Sequence, residues 1–251
     1  MKLRLQHRDQ LLGVAGIVLF AVAWEAIGRL RLLGIGWPPL SQVIDLLLDP
    51  SRAALLGRAL KASLQALAQG YVIGIVLGLL LATLTHLAPA LRPGFDRASA
   101  LVNAIPSIAL APMFILFLGS DATPVAMAAL TTFFVIYVTT TSGLAVAPPA
   151  LRDLMKVLGG SRFTTFLRVD LPSAVPQIAS GTRLAAPSAL IGVIVGEWFG
   201  APRGLGVLII SAMQNFQIAL LWAAVLLAVT TSLVLFVLLG ALQNHAQRRF
   251  F

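Results

Sequence analysis

The sequence has 251 residues, 59% of them hydrophobic and 11% charged, with a mean hydropathy of +0.93. A soluble domain carries about 25% charged residues, so this balance excludes an ordinary water-soluble globule and points to an all-α integral membrane protein. The formal net charge is +9 and there is no cysteine, which excludes disulfides, thiolate catalysis and cysteine metal sites.

A membrane span needs about 20 mainly apolar residues. The first covers residues 11–30 behind a basic start. Ala21-Val22-Ala23 also suits a secretory cleavage site, but the apolar stretch runs on to Ile27, so a retained span is expected. Glu25 and Arg29, four apart near its end, are placed to pair on one helix face. Residues 31–61 are more polar. There Trp37-Pro38-Pro39 is a breaker, and Ser41 is placed to cap a short helix ending near Asp49-Pro50. The second span, 62–87, carries Gly70, Gly74 and Gly78 at every fourth position. The fifth, 175–199, carries Gly192 and Gly196 in the same spacing, continued by Gly200. Such stripes let helix backbones approach closely in lipid; static packing is the commoner reading, a sliding seam the other.

The third span, 98–118, is broken by Pro106 and Pro112, and the fourth covers 124–146. Proline in a span frees a carbonyl and is tolerated where neighbours or a watery cavity satisfy the backbone. Asn103, Pro106, Ser107, Pro112, Tyr137, Thr139 and Ser188 therefore either line a hydrophilic translocation path or serve packing. The two readings weigh equally. Arg183 sits close enough to a span end to snorkel. Glu197, near the other end of the fifth span, joins the tentative path set. It either meets substrate, faces water or ties the Gly200–Gly206 linker, and the tie is the expectation. A sixth span covers 218–242, followed by the basic pair Arg248-Arg249. The whole chain reads as one transmembrane domain.

Six spans put both termini on one side. That side collects twelve of the 18 Lys and Arg residues: Lys2, Arg4, Arg8, Arg92, Arg97, Arg152, Lys156, Arg162, Arg168, Arg183, Arg248 and Arg249. By the positive-inside bias it is cytoplasmic, and this bias accounts for the basic balance without nucleic acid as a partner. The polar interruption at 147–174 then lies on the cytoplasmic side. In it, Leu151, Leu154, Met155 and Leu158 form an apolar stripe at i, i+3, i+4 and i+7, with Arg152, Asp153 and Lys156 opposite. Pro148-Pro149 opens this short helix and Gly159-Gly160 ends it. Ser161 is placed to cap a second one, bearing Arg162, Phe163, Phe166 and Leu167 and stopping at Pro172. An amphipathic hairpin of this kind is either a docking element or a plain loop.

Lysine occurs only at Lys2, Lys61 and Lys156, so no glycine-rich loop ending in Gly-Lys-Ser/Thr can cradle ATP phosphates. The three histidines, His7, His86 and His245, are scattered, and no catalytic set, metal site or bound cofactor is expected of this chain.

The run Asp153-Leu154-Met155-x3-Gly159 through Leu171-Pro172 resembles the "EAA" loop of binding-protein-dependent ABC importer permeases. Asp153 stands at the glutamate position, while Leu154 and Met155 replace the two alanines. Residues 105–119 (Ile-Pro-Ser-Ile-Ala-Leu-Ala-Pro-Met-Phe-Ile-Leu-Phe-Leu-Gly) are similar to the third-span signature of the sulfonate/taurine/nitrate permeases. Phe133-Phe134-Val135-Ile136-Tyr137, Gly181-x-Arg183-Leu184-Ala185, Gly196-Glu197 and Gly204-Leu205-Gly206 extend the likeness, which covers about residues 11–245. The resemblance implies a non-catalytic permease subunit of the bacterial inner membrane. It would pair with a second permease subunit, expected to be its own copy, and with two cytoplasmic ATPase subunits that hold ATP and magnesium. A periplasmic or lipid-anchored binding protein would deliver a small solute: a sulfonate-, taurine- or nitrate-like anion, a pyrimidine thiamine precursor, or an aromatic acid. It also implies that the hairpin couples to the ATPase through Leu151, Asp153, Leu154, Met155, Lys156, Leu158, Gly159, Gly160, Ser161, Arg162, Phe163 and Phe166. An ion-coupled secondary transporter and a membrane scaffold are the alternatives.

Overall fold

The structure is a computed structural model that describes the backbone of residues 2–250 and the side chains of residues 12–241 and 243. The expectations for Lys2, Arg4, His7, Arg8, His245, Arg248 and Arg249 concern side chains outside the described residues. In chain order the helices are α1 (Lys2–Arg29), α2 (Leu40–Leu48), α3 (Pro50–Leu87), α4 (Arg92–Ala104), α5 (Ser107–Leu118), α6 (Thr123–Ala145), α7 (Pro149–Val157) and α8 (Arg162–Thr165). A π turn (Phe166–Asp170) then leads into α9 (Leu171–Trp198), followed by α10 (Leu205–Gln214) and α11 (Ile218–Phe250). No strand occurs among the described residues. Five helices are long and apolar enough to cross a bilayer, and six crossings result if the bent pair α4–α5 makes one.

Two local expectations are corrected and a third is sharpened. The expected break of the third span falls at Pro106, where α4 and α5 meet at 98°, while Pro112 lies inside α5 without ending it. Pro106 disfavours the helical region for the residue before it, and Ile105 is extended (φ −72°, ψ 124°). Ser41 does not cap α2, because Pro39 precedes the helix; its N–H and Oγ instead donate to Glu25, at 2.9 and 2.8 Å. Pro172 does not stop the second loop helix, which runs on to Trp198. The Leu171 N–H reaches back five residues to Phe166 O, and after this widened turn Pro172 falls at the start of α9.

The chain divides into two compact units, Met1–Arg58 with Leu208–Leu227, and Ala59–Val207 with Ala228–Phe251. In the first, Gly28 lets α1 meet the Pro38-Pro39 backbone, where a Cβ would lie 2.5 Å from Pro39 Cα. Trp24 Nε1 donates to Pro38 O (3.1 Å) and Trp222 Nε1 to Gly36 O (2.9 Å). The rings of Trp24, Trp37 and Trp222 gather with centroids 4.7–5.0 Å apart. Glu25 also pairs with Arg29. At the start of α3, Ser51 donates from N–H and Oγ to the Asp49 carboxylate at 2.8 and 2.7 Å, satisfying one of the free donors of the first turn.

In the second unit α6 is the central element, with Met127, Ala128, Ile136 and Leu144 fully buried. Its tightest neighbours meet it through glycine. Gly70, Gly74 and Gly78 of α3 lie against Ala128, Thr132 and Ile136, and Gly192 and Gly196 of α9 lie against Met127 and Pro124. Any Cβ at these five positions would approach a neighbouring atom to between 2.5 and 2.8 Å, so the seam requires a residue without one.

Candidate functional site

The hairpin between α6 and α9 is built by local signals. Pro149 is the first residue of α7, where its missing N–H costs nothing. At the other end Gly159 takes φ +72°. Its N–H donates to Lys156 O (3.0 Å) while the Gly160 N–H donates to Met155 O (2.8 Å), the Schellman closure that a left-handed glycine makes possible. Gly160 folds so closely over Met155 that a Cβ would sit 2.9 Å from its Cε. Ser161 Oγ then accepts the Thr164 N–H at 3.1 Å and starts α8.

What fastens this hairpin was not visible in its own sequence. Asp170, 4% exposed, accepts from Arg152 Nε at 2.7 Å and pairs with His86 Nε2 at 2.8 Å. Arg152 also donates to Leu144 O at 2.6 Å, one of the carbonyls that α6 leaves unsatisfied at its end. One guanidinium thus ties α7 to the end of α6 and to the turn that opens α9, with α3 contributing His86. Arg152 is therefore not on a solvent face with Asp153 and Lys156 but is the inward anchor. Phe166 is likewise no surface residue: it is 5% exposed and packs with Leu144 and Ala174. The available signal was an acidic residue placed just before Leu171-Pro172 in a largely apolar run. Its partners lie 18 and 84 residues away.

What the hairpin leaves outside is apolar. Leu151, Leu154, Val157, Leu158 and Phe163 are between 46% and 84% exposed, Met155 is half-buried, and Gly159, Ser161 and Arg162 are exposed. The Asp153–Lys156 pair (2.9 Å) is exposed as well. Large side chains gathered in this way on a short, firmly anchored hairpin mark a contact surface.

The residues considered for a path separate into four groups. Asn103, Pro106 and Ser107 come together at the α4–α5 break, lining a cleft of about 230 Å³ with Ser99, Thr131 and Phe134. Pro112 is exposed on α5. The hydroxyls of Thr139 and Ser188 bond their own helices, to Val135 O (2.8 Å) and Leu184 O (3.5 Å). Tyr137 and Glu197 are buried, each 2% exposed. The Tyr137 hydroxyl donates to Asp96 Oδ1 at 2.6 Å. Glu197 accepts from Ser63 Oγ and from the Gly206 N–H, both at 2.7 Å, while Ser63 Oγ accepts the Leu205 N–H at 2.8 Å. The carboxylate therefore ties the 200–206 linker to α9 and α3. Arg183 lies over the Phe236 ring at 4.0 Å.

Residues 74–251 match the family model described as "Binding-protein-dependent transport system inner membrane component". A formylaminopyrimidine transport permease protein of Halalkalibacterium halodurans is 40% identical over 116 residues, covering 46% of either chain. A protein of Bacillus subtilis described as an aliphatic sulfonates transport permease is 30% identical over 133 residues, covering 53% of this chain and 48% of that one. The matched stretch spans about half the length of these relatives. A solved chain of the MetNI methionine ABC transporter in inward-facing conformations superposes with a TM-score of 0.69 at 17% identity, over 81% of this chain and 99% of that one. At that identity the likeness shows a shared fold alone.

Proposed function

The chain belongs to the family of binding-protein-dependent transport system inner membrane components, and on that premise we propose that it is the membrane-spanning subunit of an ATP-driven ABC importer. It provides the passage for a small solute handed over by an external binding protein, and each of two copies docks one ATPase subunit through its α7–α8 hairpin. Energy enters from those subunits, because the lysines are too few and wrongly placed to form a phosphate-cradling loop. Both termini and the hairpin face the cytoplasm, and two permease subunits, copies of one chain, enclose the passage.

One observation carries this reading: an anchored hairpin whose outward side is apolar. Arg152 and Asp170 hold it to three helices, so a push on Leu154, Val157 or Phe163 is delivered to α6 and α9 rather than absorbed in a slack loop. A transporter of this class needs such a two-state element, biased at one end by nucleotide-driven closure and at the other by solute. The cleft at the α4–α5 break, with Asn103, Ser107 and Thr131, supplies polar groups at membrane depth for the passage. The relatives named for formylaminopyrimidine and for aliphatic sulfonates bracket the cargo as a small polar organic solute.

Co-purification with the cognate ATPase tests the docking claim. Gly159→Asp places a side chain at a left-handed residue, and Asp153→Lys reverses the exposed charge. Assembly and ATPase coupling that survive both changes would remove the hairpin from the mechanism.

A further inference from the structure

Within the unit Met1–Arg58 with Leu208–Leu227 lies a cavity of about 710 Å³, well inside the size range of sites for small organic ligands. Arg29, Arg31 and Arg52 line it together with Trp37, Gln42 and Gln217, and no carboxylate does. Arg29 is already paired with Glu25. Arg31 and Arg52 make no ion pair among the described residues, although the Asp49 carboxylate lies near enough to Arg52 to feel its charge. Exposed arginines alone would mean little. Two further features separate this place from an ordinary basic surface.

The first is backbone conformation. Arg31 (φ +51°) and Phe216 (φ +53°) are the two non-glycine residues in the left-handed region among the described residues, and both line this cavity. Each closes a helix by the same bonding. The Arg31 N–H reaches Gly28 O and the Leu32 N–H Ile27 O; the Phe216 N–H reaches Met213 O and the Gln217 N–H Ala212 O. Glycine is the favoured residue at such a position and any side chain costs stability. Folding does not ask for an arginine and a phenylalanine there, and Phe216 is 82% exposed, so packing does not ask for its ring. Strained residues collected at one opening are a mark of a ligand site. The second feature is the aromatic side of the opening, where Trp37 lines the cavity and the exposed ring of Phe216 stands beside the arginines.

The geometry points to a binding site for an oxyanion-bearing amphiphile: a sulfonate, phosphate or carboxylate held between Arg31 and Arg52, with Phe216 against the ligand's apolar body. Guanidinium is the group best suited to such an anion, through paired N–H donors. The ligand comes either from solution, as an organic anion, or from the bilayer, as an anionic lipid headgroup. The inference stands without the docking role proposed for the hairpin, which lies in the other unit.

The full chain in phosphatidylcholine nanodiscs provides the test. Three of its four tryptophans, Trp24, Trp37 and Trp222, lie in this unit, so intrinsic fluorescence reports occupancy. Benzenesulfonate is titrated against benzyl alcohol as the uncharged control. In parallel, native mass spectrometry of chain released from discs containing phosphatidylglycerol reads lipid retention. Saturable binding of benzenesulfonate but not benzyl alcohol, weakened at least about tenfold by Arg52→Gln, supports the site with a soluble source. Retention of phosphatidylglycerol by the unaltered chain and its loss from Arg52→Gln supports the same site with a lipid source. Arg31→Gly and Phe216→Gly complete the test, because they relax the strained turns. Each should leave the melting temperature unchanged or raised while weakening the same ligand. Equal binding by the variants, equal binding of benzyl alcohol, no binding of either probe, or a lowered melting temperature for both glycine variants would overturn the proposal.

Discussion

Replacing Arg152 with methionine isolates the anchor from the surface it holds. The substitution keeps most of the side chain's length and apolar stem but removes the bond to Asp170 and the bond to Leu144 O. Asp170 is left 6% exposed at its side chain with His86 as its remaining partner. Stranding a buried charge costs about 3–5 kcal/mol. The retained His86 contact and the 31% exposure of the Arg152 side chain reduce this, so about 2–3 kcal/mol is the working figure for local opening of the hairpin. In exchange experiments that is an increase of about 30- to 150-fold in amide exchange across residues 149–165, with α1 unaffected. Lys156→Met removes an exposed pair instead, worth about 0–1 kcal/mol, and changes the same amides by less than about fivefold. Adding Asp170→Asn to Arg152→Met removes the stranded charge and recovers part of the protection, a coupling that a double-mutant cycle measures. If Arg152→Met and Lys156→Met loosen the hairpin equally, the anchor has been assigned to the wrong residue.

Other consequences follow from the packing. Gly74→Val inserts a side chain where even a Cβ would lie 2.5 Å from Thr132 Cβ, and should cost about 1–3 kcal/mol or more, lowering the melting temperature in detergent. Gly57→Ala, in the same helix with nothing within 4 Å, should be neutral or stabilise by about 0.5–1 kcal/mol. Glu197→Gln cannot accept from both Ser63 and Gly206 without turning an N–H₂ group toward one donor, so it should lose about 1–3 kcal/mol and raise exchange in residues 200–206. The hydrogen bonds from the Ser51 side chain and backbone hold the Asp49 carboxyl below the usual carboxylate range. Its contribution to the start of α3 is therefore present above about pH 4 and lost as pH falls through its lowered folded value. Exchange at the Ser51 amide, corrected for intrinsic rate, should rise at that acid end, and Asp49→Asn should abolish the dependence.

The sequence reveals those features whose causes are local. The Gly159-Gly160 elbow, the Ser161 cap, the Glu25–Arg29 pair and the tie between Glu197 and its linker each depend on residue types at short spacing. The break of the third span is legible at Pro106, but the sequence does not tell Pro106, before which Ile105 turns extended, from Pro112, which α5 holds in its interior. Proline misleads again at Pro172, where a widened turn lets the helix continue. The least legible feature is the Arg152–Asp170–His86 set. Helical periodicity assigns Arg152 to the polar face with Asp153 and Lys156, and only the arrival of α3 and of the π turn reveals that a long side chain on that face reaches inward. Phe166, which the resemblance placed among the coupling residues, is buried because Leu144 and Ala174 of other helices close over it.

The central claim, that the outward face of α7 meets the ATPase, is tested most directly by cross-linking. The chain contains no cysteine, so Val157→Cys, at a residue 84% exposed, provides a single thiol. With the purified cognate ATPase and a maleimide–benzophenone reagent, whose photoreactive end inserts into C–H bonds and needs no thiol on the partner, Val157→Cys should cross-link to the ATPase, in higher yield with nucleotide bound, and Val229→Cys on α11 should not. Equal yields at the two positions, or no cross-link from Val157→Cys in a complex that still hydrolyses ATP in response to binding protein, would contradict it.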